Sequence, residues 1–566
     1  MRLADAVRAW LPARARVLPP AEHERVMATA RMERHGGLTA LYLCGTPYEM
    51  GYQQGTLARE LIHGFRQAAY AYVTAQLPVP RPLARPLLFN HASSYWPTLW
   101  AEHVPEIKGV ADAAGVHPIE ALVSTAIWEI MLVSGCSEFA AVGPVTADGS
   151  LLHGYNYDLM HPDHALIQPY LAVLLYRPSQ GIPFFTVNTV GTVGANAGMN
   201  EAGISVAWDN TYLKDRTLVE GIHLPVVPFI LTLRRLLQYA TTLDEAVRTI
   251  TGTLPRPLAD IVIIGSAREG RAVALETAGR LHAVREMDAG AIWSTNCFRS
   301  AGLAPYDRRG DSRGLTEAEA WQCVPRFTAY SQLFASAEGQ ITPARSAAFL
   351  RDPYPREAHG FVHPNPAARA TICRNMTSWS LVMQPGQGRF WVSDTKTPGC
   401  QGRFYAFDLV NWTRLPDLDL PASGFYAALG AAQRFRAGDL PGAESALVEA
   451  LSADGPSAPL LLMQAVLKGL AGDEELAAGA LRQVQARWAE TPAAALARSW
   501  LENREASRPQ GADRPGGVSW LPFPSAIQPL VELRPAEDWP GRAVDHDPSP
   551  PGERPDVDPR PATEQS

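Results

Sequence analysis

The sequence predicts an α+β protein, one large sandwich followed by a helical segment, on three observations. Residues 1 to about 135 read mainly helical. From 136 to about 415, short apolar or alternating runs recur between Gly, Asn, Asp and Pro turns, with helical interruptions at about 224–250 and 315–350. Residues from about 422 to 503 are rich in Ala and Leu at helical spacing. Long series of strands with helices in blocks suit layered sheets better than a doubly wound parallel sheet.

Taken in order, residues 1–37 form an N-terminal extension. Leu-Thr-Ala-Leu-Tyr-Leu-Cys, ending at Cys44, reads as a strand, and 45–73 as one long helix opened by a Gly-rich turn. Residues 119–133 carry broad helical hydrophobicity and run into Ser134-Gly135-Cys136. The runs FAAVGPV and SLLHGYNYD flank Ala147-Asp148-Gly149, a hairpin turn signal. The sandwich is expected over 38–415. In 422–503, Gly438-Asp439 recurs as Gly472-Asp473, with Ala443, Ala446 and Leu447 matched by Ala477, Ala480 and Leu481. That 34-residue period resembles the tetratricopeptide repeat, in two units. It implies either a protein-docking groove or a helical appendage that packs on the main body. Residues 504–566 are Pro-rich and acidic, and are expected to be disordered.

A chain of 566 residues with net charge −7 gives no reason to expect a nucleic-acid partner. No stretch of 18 apolar residues and no secretory signal is read, so the expectation is a cytoplasmic protein without a membrane span. The six cysteines are scattered with no CxxC pair, which predicts no zinc site, and no metal or other cofactor is expected. His161 and His164 stand close in sequence, but a lone loop pair is more often solvated. Gly191–Gly198 runs into a strand, not a helix, and so offers no dinucleotide site. In a reduced protein each thiol is then a packing residue or a nucleophile.

Residues 134–158 carry the chemistry: a helix ends at Gly135, Cys136 follows, then strand, turn, strand and Asn156-Tyr157-Asp158. Glycine before the cysteine relieves backbone strain and leaves room for a thiol to attack the preceding carbonyl. The segment resembles the acyl-coenzyme A:6-aminopenicillanic acid acyltransferase family of N-terminal-nucleophile hydrolases, with bile-salt hydrolases more distant. The resemblance rests on Gly-Cys-Ser-x-Phe-Ala-Ala at 135–141, Asp-Gly-x-Leu-x-His-Gly-x-Asn-x-Asp at 148–158, Gly-Met-Asn-Glu-Ala-Gly-Ile at 198–204, Ser-Thr-Asn-Cys-Phe at 294–298 and Pro-Tyr-Glu-Met-Gly-Tyr-Gln-Gln-Gly at 47–55. It covers about 38–408 and implies a four-layer αββα sandwich.

The resemblance also implies a precursor that cleaves itself between Gly135 and Cys136. The new α-amino group of Cys136 then serves as base and its thiol as nucleophile. Asp158 would tune that amine, Asn296 would hold the oxyanion, and Arg374, with Arg369 as the alternative, would supply the family's later arginine. Glu138, Tyr155, Asn156 and Asn200 are the candidate substrate-binding residues. Three positions depart from relatives: Glu138 stands where Ser or Thr is frequent, Tyr155 where many carry Arg, and Cys297 where His commonly follows the Asn; Cys297, Cys323, Cys373 and Cys400 are expected as packing residues. The expected partners are an amide or thioester substrate, small or peptide-like, the two fragments of the precursor, and a protein at the helical repeats. A catalytically inactive scaffold and a lipid amidase or phospholipase-B-like hydrolase are the competing readings.

Overall fold

The computed structural model describes residues 16–76, 81–127, 136–159, 167–214, 217–220, 222, 226–307, 323–337, 339–352, 372–374, 377–395, 398–489 and 492–506. Gly135, Arg369, His161, His164 and the tail beyond 506 lie outside the described residues.

Sixteen strands among the described residues build two sheets. The larger contains β1 (Arg31–His35), β2 (Leu38–Gly45), β5 (Leu171–Pro178), β6 (Phe184–Thr189), β7 (Ala197–Asn200), β8 (Ile204–Thr211), β9 (Arg256–Ser266), β10 (Arg271–Gly279) and β11 (Leu281–Glu286), in that spatial order. Only β2 and β5 run parallel in it. The N-terminal extension therefore contributes an edge strand. The smaller sheet is antiparallel, in the order β12 (Ala291–Ser294), β3 (Ser137–Gly143), β4 (Gly149–Asp158), β13 (Thr377–Gln384), β14 (Arg389–Ser393), β15 (Phe404–Asp408) and β16 (Thr413–Arg414).

Side-chain alternation along β3 explains the layering. Phe139 and Ala141 pack outward with Tyr330, Phe334 and Phe349, from the helices Val324–Ala335 and Pro343–Leu350. Ala140 and Val142 pack inward with Ile263, Ala272 and Ala274 of the larger sheet. On that sheet's far side lie the helices Pro47–Leu57, Phe229–Tyr239 and Leu243–Thr251. The result is the αββα sandwich that the resemblance implies.

The expected single helix over 45–73 is two, Pro47–Leu57 and Arg59–Gln76, interrupted at Ala58 with φ −109°. The first opens with a capping box: Thr46 accepts from the Glu49 N–H, while Glu49 accepts from the Thr46 N–H. It crosses helix His103–Ala114 in backbone contact. A Cβ on Gly109 would sit 2.2 Å from Tyr48 O, and one on Gly51 would sit 2.0 Å from Glu106 O. Gly109→Ala should therefore destabilise the fold by about 1–3 kcal/mol through overpacking, read as a lower urea midpoint with an unchanged slope.

The C-terminal segment is a row of helices, Phe425–Arg436, Leu440–Asp454, Ala458–Leu470, Glu474–Arg487 and Pro492–Ala506, around a core that includes Leu447, Met463, Leu481 and Trp500. The repeated Gly-Asp is a repeated turn. Gly438 and Gly472 take φ +79° and +81°, and Asp439 and Asp473 then cap the following helices at Gly442 N–H and Leu476 N–H. The first helix leans on the sandwich, where the Tyr426 hydroxyl donates to Pro398 O at 3.1 Å. No helix among the described residues is long and apolar enough to cross a membrane.

Candidate active site

Cys136 directly precedes β3 and is completely buried. Its thiol meets the Tyr155 hydroxyl and the backbone of Asp158, and its carbonyl accepts from Arg326 Nη1 at 2.6 Å. Burial pushes the thiol far above its ordinary range, and the carboxylates of Asp209 and Asp158 push it further. In the intact chain it is a thiol. A buried sulfur beside two carboxylates needs a proton acceptor before it can attack.

Asp158 ends β4, where pairing with β13 slips between Thr377 and Trp379. One carboxylate oxygen accepts from Thr377 Oγ1 at 2.7 Å. The other lies 3.9 Å from Arg374 Nη1 and 4.0 Å from Arg326 Nη1. Burial outweighs both cations, Arg374 the stronger, and lifts the carboxyl from its ordinary 3.8 to about 6. Asn296 occupies the left-handed region at φ +67°, which turns the chain sharply after β12. Its Nδ2 donates to Asn210 O at 2.8 Å, and its Oδ1 accepts from Arg326 Nη2 at 2.8 Å.

Arg374 thus stands beside Asp158, and Arg326 joins it. Arg326 is fully buried on helix Val324–Ala335 and reaches Cys136 O, Thr295 O and Asn296 Oδ1. Sequence reading missed it, because no motif surrounds it. Asp209 was missed too, although a signal existed: on β8 it shares the alternation of Ser205 and Ala207, inside an apolar strand. The peptide carbonyls flanking it serve the site. Trp208 O accepts from the Tyr155 hydroxyl at 2.8 Å, and Asn210 O accepts from Asn296.

Three of the candidate binding residues are held by partners within the fold. Asn200 donates to Leu237 O and Ala240 O and accepts from the Ile204 N–H, so it clamps a turn to helix Phe229–Tyr239. Asn156 faces the outer helices, donating to Leu350 O and Ile372 O and accepting from Ser380 Oγ. It ties β4 to helix Pro343–Leu350 and to the bend at 372–373. Glu138 lies between the sheets, completely buried; it accepts from the Ile263 N–H at 3.1 Å and lies 3.6 Å from His153 Nε2. Burial and the Asp209 charge hold its carboxyl well above the usual range. Tyr155 alone of the four touches the Cys136 thiol.

Cys297 and Cys323, expected as packing thiols, are bonded to each other, their Cα atoms 6.1 Å apart and within disulfide reach.

Residues 145–351 match the model of the acyl-coenzyme A:6-aminopenicillanic acid acyl-transferase family. The matched segment carries Asp158, Asp209, Asn296 and Arg326, while Cys136 stands just before it. An uncharacterised protein of Archaeoglobus fulgidus is 29% identical over 286 residues, covering 44% of this chain and 45% of its own length. The Dictyostelium discoideum protein dcd1B is 25% identical over 266 residues, 42% of this chain and 50% of its own. The chain thus spans about half the length of the curated relatives it matches. Among solved structures, a Caenorhabditis elegans ortholog of N-acylethanolamine-hydrolyzing acid amidase aligns at 17% identity and TM-score 0.32, over 44% of this chain and 93% of its own. A mutant of the conjugated bile acid hydrolase of Clostridium perfringens aligns at 15% identity and TM-score 0.32, over 49% of this chain and 93% of its own.

Proposed function

We propose that the chain is a self-processing cysteine amidohydrolase or acyltransferase that carries its acyl group as a thioester on Cys136. One observation carries the reading: the single guanidinium of Arg326 gathers Cys136 O and Asn296 Oδ1 and lies 4.0 Å from Asp158, so a helix distant in sequence joins the hairpin of Cys136 and Asp158 to the turn of Asn296.

In the first step the Cys136 thiol adds to the Gly135 carbonyl carbon, and its proton passes to a neighbouring base. Asp158, with its carboxyl near 6, is ionised at neutral pH and takes that role. Collapse breaks the Gly135–Cys136 C–N bond and leaves the upstream chain as a thioester on sulfur. The proton taken from the thiol returns to the departing Cys136 amine, and water then hydrolyses the thioester, releasing the upstream chain as a carboxylate and freeing the thiol beside that amine. That amine, ordinarily near 8, becomes the base for substrate. Thiolate attack on an amide or thioester carbonyl builds an oxyanion. The Asn296 amide carries two N–H groups; one binds Asn210 O, and the second is suited to that oxyanion. Release of the amine or thiol gives the acyl-enzyme, which passes its acyl group to water or to an amine.

The test is mass spectrometry of the purified chain. A fragment beginning at Cys136, absent in Cys136→Ala, is expected. An intact chain in both would remove the self-processing step. A catalytically inactive sandwich is the reading favoured by the complete burial of the thiol, and the same measurement, with acyl transfer to a hydroxylamine trap, decides between them.

A further inference from the structure

Four of the six cysteines stand beside the groups that organise the site. Cys297 follows Asn296, Cys323 is the residue from which helix Val324–Ala335 with Arg326 departs, and Cys373 precedes Arg374. The first two are already bonded. The fourth, Cys400, sits in the turn Gly399–Gln401 with its sulfur 2.7 Å from that of Cys373. Both are completely or almost completely buried.

The surroundings hold this pair in place. Gln401 Nε2 donates to Cys373 Sγ at 3.1 Å, and the Cys373 N–H donates to Asp352 O at 2.9 Å. Arg351 Nε donates to Cys400 O at 3.0 Å. The turn carrying Cys400 is pressed onto β13, since a Cβ on Gly399 would lie 2.7 Å from Ser378 O. β13 begins at Thr377, whose hydroxyl donates to Asp158 and accepts from the Arg374 N–H at 3.1 Å. A bond between the sulfurs would fasten the short segment bearing Arg374 to the strand bearing Thr377, and both residues address one carboxylate. An S–S bond is about 2.05 Å long, so the sulfurs, 2.7 Å apart, need to close by less than an ångström.

We propose that Cys373 and Cys400 form a second disulfide, and that this cross-link positions Arg374 against Asp158. The oxidant is a small disulfide such as oxidised glutathione. One cysteine thiolate attacks it, forming a mixed disulfide and expelling one glutathione thiolate. The other cysteine thiolate then attacks the protein sulfur of the mixed disulfide, closing the Cys373–Cys400 bond and expelling the second. Two protein thiols lose two electrons and two protons, and one small disulfide is reduced to two thiols. Burial of both sulfurs slows this exchange in the folded chain, so the bond forms as the chain folds and persists afterwards.

The test is made on the full chain refolded in a glutathione redox buffer, alkylated under denaturing conditions and mapped by mass spectrometry without reduction. The expected result is a peptide pair joined through Cys373 and Cys400, with Cys44 and Cys136 alkylated. Full alkylation of Cys373 and Cys400, in a sample whose Cys297–Cys323 peptide pair is intact, overturns the proposal. The positioning role is read by infrared titration of the Asp158 carboxyl, identified by subtracting Asp158→Asn. In C373S/C400S its midpoint should rise by about one unit, a tenfold change in the ionisation equilibrium, because Arg374 is held less firmly. An unmoved midpoint removes the positioning role even if the bond exists. Neither measurement requires activity, so a chain that fails to process itself leaves both outcomes readable.

Discussion

Replacing Arg326 by alanine should lower the unfolding free energy by about 3–5 kcal/mol and slow acyl transfer at least a hundredfold. The guanidinium has no exposed surface. Its removal strands the Cys136, Thr295 and Asn296 oxygens it serves, and each buried unpaired acceptor is worth about 1–3 kcal/mol. It also leaves Asp158 with Arg374 as its one nearby cation of the two described, and Arg374 is the more exposed. On the chemical side, the nucleophile carbonyl and the oxyanion-side amide lose the group that fixes their separation. Arg326→Lys restores the charge but not the planar fork that reaches several acceptors at once, so it should recover part of the stability and little of the rate. Urea unfolding and single-turnover transfer from an activated thioester separate the two effects. A variant that keeps its rate within about threefold would mean that the bridge is structural only.

The contrast between Arg326 and Cys136 shows what the sequence carries. Cys136 and Asp158 are legible because both belong to one strand–turn–strand unit, where neighbours in sequence are neighbours in space. Asn296 is legible through the Ser-Thr-Asn-Cys-Phe motif at 294–298, and its sharp turn after β12 is visible only in the structure. Arg326 is separated from Cys136 by 190 positions and sits on a helix without a local signature, so only packing brings it in. Asn156 and Tyr155 illustrate a different loss. Adjacent strand residues face opposite sides, so at most one of them can face the sheet interface. The pattern does not say which, because both sides of β4 are buried. Tyr155 points inward to the thiol and Trp208 O, while Asn156 points outward to Leu350 O. Asn200 stands in a Gly-flanked turn, and such turns serve packing and pockets alike; its bonds to Leu237 O and Ala240 O are made across 37 and 40 positions and are not legible locally. The cysteines were misread for a physical reason as well: spacing along the chain says nothing about Cα separation, and Cys297 and Cys323 meet only because the chain folds back between β12 and the helix that follows.

Asp158→Asn should leave the sandwich folded and reduce activity by about 10²–10⁴-fold, the range ordinarily supplied by a positioned acid or base. The amide keeps the shape and can still accept from Thr377 Oγ1, but it takes no proton from the thiol and does not hold the new α-ammonium of Cys136. The pH dependence separates this from a packing defect. With the wild-type carboxyl raised to about 6, activity should fall through that value as the medium is acidified, well above the range of an ordinary aspartate. Removing Arg374, the larger of the two cationic influences, should move this limb to higher pH, and Asp158→Asn should abolish it. Stability moves in the opposite sense. A folded-state value above the unfolded one means that the folded chain binds the extra proton between about 4 and 6. The stabilisation from this group is complete below pH 4 and lost as pH rises through 6, by on the order of 3 kcal/mol at most. Wild type should therefore lose stability relative to Asp158→Asn over the same pH interval in which it gains activity. Urea midpoints of the two proteins measured at pH 4, 5, 6 and 7 would show the crossing trends, and parallel midpoints would place the activity limb on another group.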